Sequence, residues 1–326
     1  MTWFFNAFTR VITLALTMSA LSLPASAEQL FRIATGAQGA TYYPIAKAMA
    51  AALSEPGVLK VEAIASSGSA ANLNAIASGQ MASGFSQADL AAWHYSGTGV
   101  VRPQFKLDKL RLIANLYPEN IHVVTRKSLS LTSVAQLKGL HVAIDEPGSG
   151  VLVNARQILR AYGLNERDIK PAYIKGAAAA ERLKAGTVDA LFFVGGVPSS
   201  FITELANATD VALLPIDGAA LEALRLSDGI YTASSFKADV YKGLAATNTI
   251  AVGAQWYTST DASTELIYAL TKRLFSPAVL AQVKASHPAA ALLSPAVGVQ
   301  GVGVQGVGVP LHSGAEKFYR EIGVLK

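Results

Sequence analysis

Short apolar runs alternate with segments of helical periodicity along most of this chain. Three of the runs span residues 30–34, 61–65 and 141–144, and a small polar turn and then a helical pattern follow each one. This alternation is typical of parallel strands that are covered by helices on both faces. Gly79, Gly163 and Gly186 follow helical stretches, where a left-handed residue commonly ends a helix. The pattern predicts an α/β fold with mostly parallel sheets.

The middle of the chain is predicted to form a second lobe. Residues 117–120 interrupt the apolar pattern, and residues 248–257 form an extended run that is long enough to cross back. Two α/β lobes joined by two crossings leave a ligand cleft between them, at the carboxyl ends of the strands. The predicted lobes are residues 28–119 plus 250–326 for lobe 1 and residues 120–249 for lobe 2.

The first 27 residues have the pattern of a secretory signal peptide. Arg10 supplies a positive charge, residues 11–23 form an apolar run, and residues 25–27 read Ala-Ser-Ala, as at a cleavage site. The apolar run is shorter than the about 20 residues that a membrane-spanning helix needs. We therefore predict cleavage after Ala27, a periplasmic location and no membrane span in the mature protein.

Composition excludes several classes of protein. The chain has no cysteine, which excludes a lipoprotein anchor and disulfide bonds. The net charge of +5 comes from scattered lysines and arginines, so a nucleic-acid partner is not expected. The five histidines have no metal-ligand spacing, and neither a Gly-x-Ser-x-Gly elbow nor a Walker loop occurs. We expect no catalytic residues, no metal and no cofactor.

A low-complexity repeat of Val-Gly-Val-Gln-Gly type occupies residues 297–309. Within it, Gly301, Gly303 and Gly306 match the glycine spacing of a dinucleotide-binding turn. No strand precedes the match and no helix follows it, so the match is an accident of the repeat. Such a glycine-rich segment predicts a flexible surface loop away from the cleft.

The turns that follow the apolar runs carry the candidate chemistry. A strand, a small polar turn and a helix together aim unpaired backbone N–H groups and a positive dipole end at an anion. Every α/β protein has such turns, so a purely structural role stays an alternative for each one. Asp89 is interpreted as a capping acid, and Asn72 faces either the cleft or the solvent. The candidate ligand-binding residues are Thr35, Gly36, Tyr42, Tyr43, Ser67, Gly68, Ser69, Gln87, Gly148, Ser149, Gly150 and Gly196.

Motifs along nearly the whole mature chain resemble those of the TAXI proteins, the extracytoplasmic solute receptors of TRAP transporters. The branch described as immunogenic surface proteins is the most similar. The motifs read FRIATG and YYP within residues 31–44, SGS with a following Asn within 67–72, GFSQAD in 84–89, LYPE in 116–119, DEPGSG in 145–150, NAR in 154–156, FFVGGVP in 192–198 and PLHSGAE in 310–316.

This resemblance implies a two-lobed periplasmic-binding-protein fold of the type II kind, with an interlobe cleft that closes on a solute. The implied solute is a small carboxylate or an amino acid, either glutamate-like or a dicarboxylate. The implied partner is a TRAP permease that an ion gradient drives, and the receptor lacks a dedicated carboxylate-binding arginine. A ligand sensor or surface interaction protein stays an alternative function, as does an enzyme on the same fold.

Overall fold

The computed structural model describes residues 28–300 and 308–326. The predicted signal peptide, residues 1–27, and residues 301–307 of the repeat lie outside the described residues. The strands β1 to β10 are Gln29–Ala34, Leu59–Ile64, Ser83–Gln87, Leu110–Arg126, His141–Ala143, Lys170–Ala172, Ala190–Gly195, Val211–Leu213, Thr232–Phe236 and Thr247–Ser259. The helices α1 to α11 are Tyr42–Leu53, Ser69–Ala77, Ala88–Ser96, Gly150–Ala161, Gly176–Lys184, Ser200–Ala208, Gly218–Asp228, Thr264–Leu274, Pro277–Ala285, Pro295–Gly298 and Ser313–Glu321.

The strands form one continuous mixed sheet. Its order is β2-β1-β3-β10-β4-β7-β5-β6, with β8 paired to β4 and β9 paired to β10. Strand β1 is parallel to β2 and β3, and β5 is parallel to β6 and β7. Strand β10 is antiparallel to β3, β4 and β9, and β4 is antiparallel to β7 and β8. The α/β class is confirmed, and the sheet is mixed because β4 and β10 run against their neighbours.

Strands β4 and β10 connect the two lobes side by side. Their pairing runs from Leu110 opposite Ser259 to Asn120 opposite Ala251. The predicted interruption at residues 117–120 is therefore wrong, because β4 continues through it. Pro118 is tolerated there because its pairing partner is Gly253 of β10, and the pairing of β4 with β7 begins only at Asn120.

Apolar side chains pack in separate clusters on the two sides of this connection. One cluster combines early residues such as Phe31 and Phe85 with late ones such as Trp256 and Tyr319. Two further clusters lie wholly between Ile121 and Val252. These clusters support the division into lobe 1 (28–119 plus 250–326) and lobe 2 (120–249), which we keep as a proposal.

Helix α4 illustrates how local sequence fixes an element of the site. Its buried positions include Leu152, Ala155 and Ile158, with the spacing of one helix face. At its start the Ser149 hydroxyl accepts a hydrogen bond from the Leu152 N–H at 3.1 Å. Gly163, just beyond its end, has a φ of +73°, as predicted for a left-handed helix end. This anchoring holds the first turn of α4 firmly at the cleft.

The described ends of the repeat do not form a surface loop. Val297 and Gly298 belong to the short helix α10, and a Cβ at Gly298 would lie 3.0 Å from the ring of Phe275. Val309 is buried, with 3% of its surface exposed. Glycine at position 298 therefore lets α10 pack closely against lobe 1. The prediction for residues 301–307 lies outside the described residues.

Across the described ranges, no helix combines the length and the apolar character that crossing a membrane requires.

Candidate functional site

A cavity of about 270 Å³ lies between the lobes. Its lining comes from the turns after β1, β2 and β3 in lobe 1 and from the turns around α4, α5 and β7 in lobe 2. This is the edge at which the carboxyl ends of the parallel strands meet. The cleft that the sequence predicted between two lobes is therefore present, and small-molecule sites are commonly found in such a place.

Six helices among the described residues begin at this cavity. Each contributes a lining residue at its first or second position or directly before it, namely Tyr42, Ser69, Gln87, Gly150, Gly176 and Phe201 for α1 to α6. The first N–H groups of a helix have no partner within the helix, and its dipole places partial positive charge there. Convergence of these ends makes the cavity suited to a carboxylate without an arginine.

Most of the predicted ligand-binding residues line the cavity. The eight that do so are Gly36, Tyr42, Ser67, Gly68, Ser69, Gln87, Ser149 and Gly150. The sequence pattern predicted these residues because each one belongs to a turn before a helix or to the first residues of that helix. Their contact with a solute stays a prediction.

The other four predicted residues do not line the cavity. Thr35 is fully buried, and its hydroxyl donates to the Ile64 carbonyl at 2.9 Å, so it fixes the turn after β1. Tyr43, the second residue of α1, is half-buried outside the cavity lining. Gly148 and Gly196 lie instead where the two lobes touch.

The lobes are in contact on both sides of the cavity. On one side the Ala71 N–H of α2 donates to the Gly148 carbonyl at 3.1 Å. On the other side the Gly196 N–H donates to the Thr41 hydroxyl at 3.2 Å. A Cβ at Gly196 would overlap the Cβ of Ala289 in lobe 1. The cleft is therefore closed in this structure, and Gly196 lies at a contact between the lobes.

Gln87 lies where α4 approaches lobe 1. A Cβ at Gly150 would overlap the Gln87 side-chain amide and come within 3.0 Å of Ser69 Oγ. Gln87 is 2% exposed, and its Oε1 has no hydrogen-bond partner within the described part of the chain. A buried acceptor without a donor is costly, and this one lies at the contact between α4 and lobe 1.

Glu119 is a buried acid in the cavity wall that the sequence analysis left out of the candidate site. The Tyr42 hydroxyl donates to Glu119 Oε2 at 2.7 Å and lies 3.3 Å from Ser69 Oγ. Burial raises the pKa of Glu119 to about 8, and the nearby Asp89 carboxylate adds to this effect. The pKa of Tyr42 is also raised, by burial first and then by Glu119.

Two charged residues of lobe 2 also escaped prediction. Asp145 lines the cavity in the left-handed conformation, with a φ of +66°, and burial raises its pKa to about 6. Lys175 lines it directly before α5, and its Nζ lies 3.4 Å from Glu146 Oε2. The motif DEPGSG contains Asp145, but only its glycines and serine were predicted to bind the solute. Lys175 had no comparable local signal.

Asp89 and Asn72 have structural roles. The Asn72 amide donates to the Thr35 and Phe85 carbonyls at 2.5 and 2.7 Å, so this residue faces neither the cleft nor the solvent. Asp89 Oδ2 accepts from Asn154 Nδ2 and from the Tyr231 hydroxyl, both at 2.7 Å. Asp89 Oδ1 caps the Leu90 N–H, but the carboxylate also links lobe 1 to lobe 2, so the capping interpretation was incomplete.

We expect Asp89→Ala to lower the free energy of unfolding by about 2–4 kcal/mol, because it removes the buried acceptor that Asn154 and Tyr231 share. Urea denaturation followed by circular dichroism measures the change. Asp261→Ala, which removes an exposed acid paired with Lys109, is the control and should cost less than about 1 kcal/mol. Equal losses in the two variants would contradict the role of this network.

The described residues contain no group of three or more His, Asp or Glu side chains that could hold a metal ion.

Comparison with known proteins yields a family and a fold. The model of the NMT1-like family matches residues 33–323. The resemblance to TAXI receptors is corrected by this match, and the assignment to TRAP transporters is wrong. The resemblance rested on short motifs, and several of them are turns between a strand and a helix, whose small residues the α/β fold itself favours.

Similar solved structures have low sequence identity to this chain. A protein from Bordetella bronchiseptica RB50 is 18% identical, with a TM-score of 0.52 over 83% of this chain and 79% of that one. An ancestral arginine-binding protein bound to arginine is 16% identical, with a TM-score of 0.49 over 80% and 98% of the chains. The aliphatic sulphonate binding protein SsuA from Escherichia coli is 16% identical, with a TM-score of 0.44 over 81% and 78%. The architecture is the two-lobed periplasmic-binding-protein fold.

Proposed function

Because this chain belongs to the NMT1-like family, a family of solute-binding proteins, we propose that it captures a small anionic or zwitterionic solute in the periplasm for transport. The observation that carries this proposal is the closed interlobe cavity at which six helices begin. The solute stabilises the closed arrangement of the lobes, and a membrane transport component recognises that arrangement.

The lining supports an α-amino acid over a simple carboxylate. Helix starts around Gly150 and Ser69 suit a carboxylate group, as described above. Glu119 and Asp145 put two carboxyl groups into the same small cavity. Acceptors of this kind complement an ammonium group. A solute that carries a carboxylate and an ammonium group can bind to the helix starts through the first and to these acceptors through the second.

Each predicted lining residue has a proposed role. The backbone at Gly36, Gly68 and Gly150 approaches the solute closely. Hydroxyl groups of Ser67, Ser69 and Ser149 accept from or donate to its polar atoms. Tyr42 holds Glu119 in place through its 2.7 Å hydrogen bond.

Calorimetric titration and thermal unfolding of the purified protein with L-amino acids and small carboxylates test this proposal. A solute at about 100 times its Kd adds about 2.7 kcal/mol to the free energy of unfolding. Arg160→Ala, on the exposed side of α4, serves as a control and should bind as the unchanged protein does. If no L-amino acid and no small carboxylate binds or raises the melting temperature, the proposal is contradicted.

For the membrane partner, we propose the permease of an ABC-type transporter in place of a TRAP permease, following the corrected family assignment. Solute uptake by cells that contain the protein should then stop on depletion of ATP. Uptake that continues without ATP and depends on a sodium gradient would contradict this partner.

A further inference from the structure

Two phenylalanines form an apolar wall of the interlobe cavity. Phe193 lies on β7 and Phe201 in the first turn of α6, and their ring centroids are 5.0 Å apart with an angle of 39° between the planes. Behind Phe193 the ring of His122 packs at 5.4 Å. Burial lowers the pKa of His122 to about 3, so this support is a neutral ring. The wall is held rigidly from behind.

Helix α5 is fitted closely against this wall. A Cβ at Gly176, its first residue, would lie 3.3 Å from Cζ of Phe201. Glycine at this position therefore lets the helix start reach the ring edge without displacing it. Ala177, which follows Gly176, also lines the cavity. The two rings themselves present carbon atoms to a solute.

The charges in the lining disfavour a second carboxylate on the solute. Lys175 is the one basic side chain among the described residues that line the cavity, and it is ion-paired with Glu146 at 3.4 Å. Glu119 and Asp145 are both acids. A dicarboxylate would bring a second negative charge close to these acids, while the lysine is already paired with Glu146.

Resting on the proposed function, we infer that the solute is an amino acid with an apolar side chain, branched or aromatic, that packs on Phe193 and Phe201. The α-carboxylate lies at the helix starts and the ammonium group faces Glu119. Glutamate-like acids and dicarboxylates, which the sequence analysis expected, should bind weakly because they would place a charged group against these apolar rings. Each buried methylene group of the side chain adds about fourfold to the affinity.

Calorimetric titration of the full chain with L-leucine, L-phenylalanine, L-alanine, L-glutamate and succinate tests this inference. We expect leucine or phenylalanine to bind at least tenfold more tightly than alanine, glutamate or succinate.

Phe201→Ala should weaken leucine or phenylalanine binding at least tenfold and change alanine binding less than threefold. Retained alanine binding shows that the variant is folded. Phe201→Leu should recover part of the loss, and Phe105→Ala, at a residue that is 62% exposed and outside the cavity, should change nothing.

The outcomes separate this inference from the proposed function. Tighter binding of glutamate or succinate would overturn the inference and leave the solute-binding function in place. Equal losses of leucine and alanine affinity in Phe201→Ala, with an unchanged melting temperature, would also overturn it. Failure of all five compounds to bind would overturn both the inference and the amino-acid form of the proposed function.

Discussion

Gly196→Ala is expected to raise the Kd for the solute about 10- to 100-fold while both lobes stay folded. The new methyl group would overlap the Cβ of Ala289 and lie 3.1 Å from Cγ2 of Thr41, so the lobes could not approach to their present separation. Overpacking of a tight contact costs about 1–3 kcal/mol. We expect this contact to be lost when the cleft opens, so the cost should fall on the closed state and therefore on binding.

The compensating variant makes this prediction sharp. Ala289→Gly removes the methyl group that the substitution at Gly196 would overlap, so the double variant Gly196→Ala with Ala289→Gly should recover most of the affinity. Ala289→Gly alone is the matched control for the effect on lobe 1. Calorimetric titration gives the Kd values, and small-angle X-ray scattering reports whether each variant closes. Normal affinity in Gly196→Ala would show that this contact does not limit closure.

Glu119→Gln is expected to weaken amino-acid binding about 10- to 100-fold at pH 8 and to abolish its pH dependence. Burial raises the pKa of Glu119 to about 8, so the ligand-free protein holds this carboxyl group protonated at pH 6. An ammonium group stabilises the ionised form, so binding releases a proton. The Kd should therefore fall up to about tenfold per unit between pH 6 and 8 and level off above pH 8.

The direction of the pH dependence decides which part of the solute faces Glu119. A Kd that rises with pH would contradict the ammonium contact, because it would mean that protonated Glu119 donates to a carboxylate. Titration in buffers with different ionisation enthalpies counts the protons released. Asp145, whose pKa is raised to about 6, contributes to the pH dependence of the Kd mainly below pH 6. The variant Asp145→Asn separates its contribution from that of Glu119.

Stability of the ligand-free protein changes with pH for the same reason. The unfolded chain loses the Glu119 proton near the ordinary pKa of 4.5, whereas the folded protein keeps it to about 8. The contribution of Glu119 to the free energy of unfolding is therefore greatest below pH 4.5. It falls as the pH rises to about 8, by at most about 1.4 kcal/mol per unit. Glu119→Gln should remove this slope in urea denaturation.

Sequence patterns predicted those parts of the fold and cavity that depend on local spacing. The strand, turn and helix units placed Gly36, Ser69 and Gly150 at the cavity because a turn and its helix are neighbours in sequence. The α/β class followed from the same alternation. The mixed character of the sheet did not, because the direction in which β4 and β10 run depends on pairing between distant segments.

Other features of the cavity depend on tertiary contacts. Pro118 favoured an interruption of the strand, although pairing with β10 carries the strand through and Glu119 of this strand lines the cavity. Phe201 reaches the cavity because α5 and α6 start beside each other, with Gly176 against its ring. Gly196 was predicted to contact the solute, whereas its close neighbours Thr41 and Ala289 lie on the other lobe.

The position of β10 determines the order in which the chain can fold. This strand lies between β3 and β4 in the sheet, yet residues 247–259 are synthesised after every strand of lobe 2. Strands β5 to β8 can pair with one another and with β4 as they emerge, whereas β3 has no partner on one edge until β10 arrives. An open edge delays completion of lobe 1 and exposes the nascent chain to wrong pairing. In a chain proposed to be exported, the same delay keeps lobe 1 incompletely folded while the polypeptide crosses the membrane.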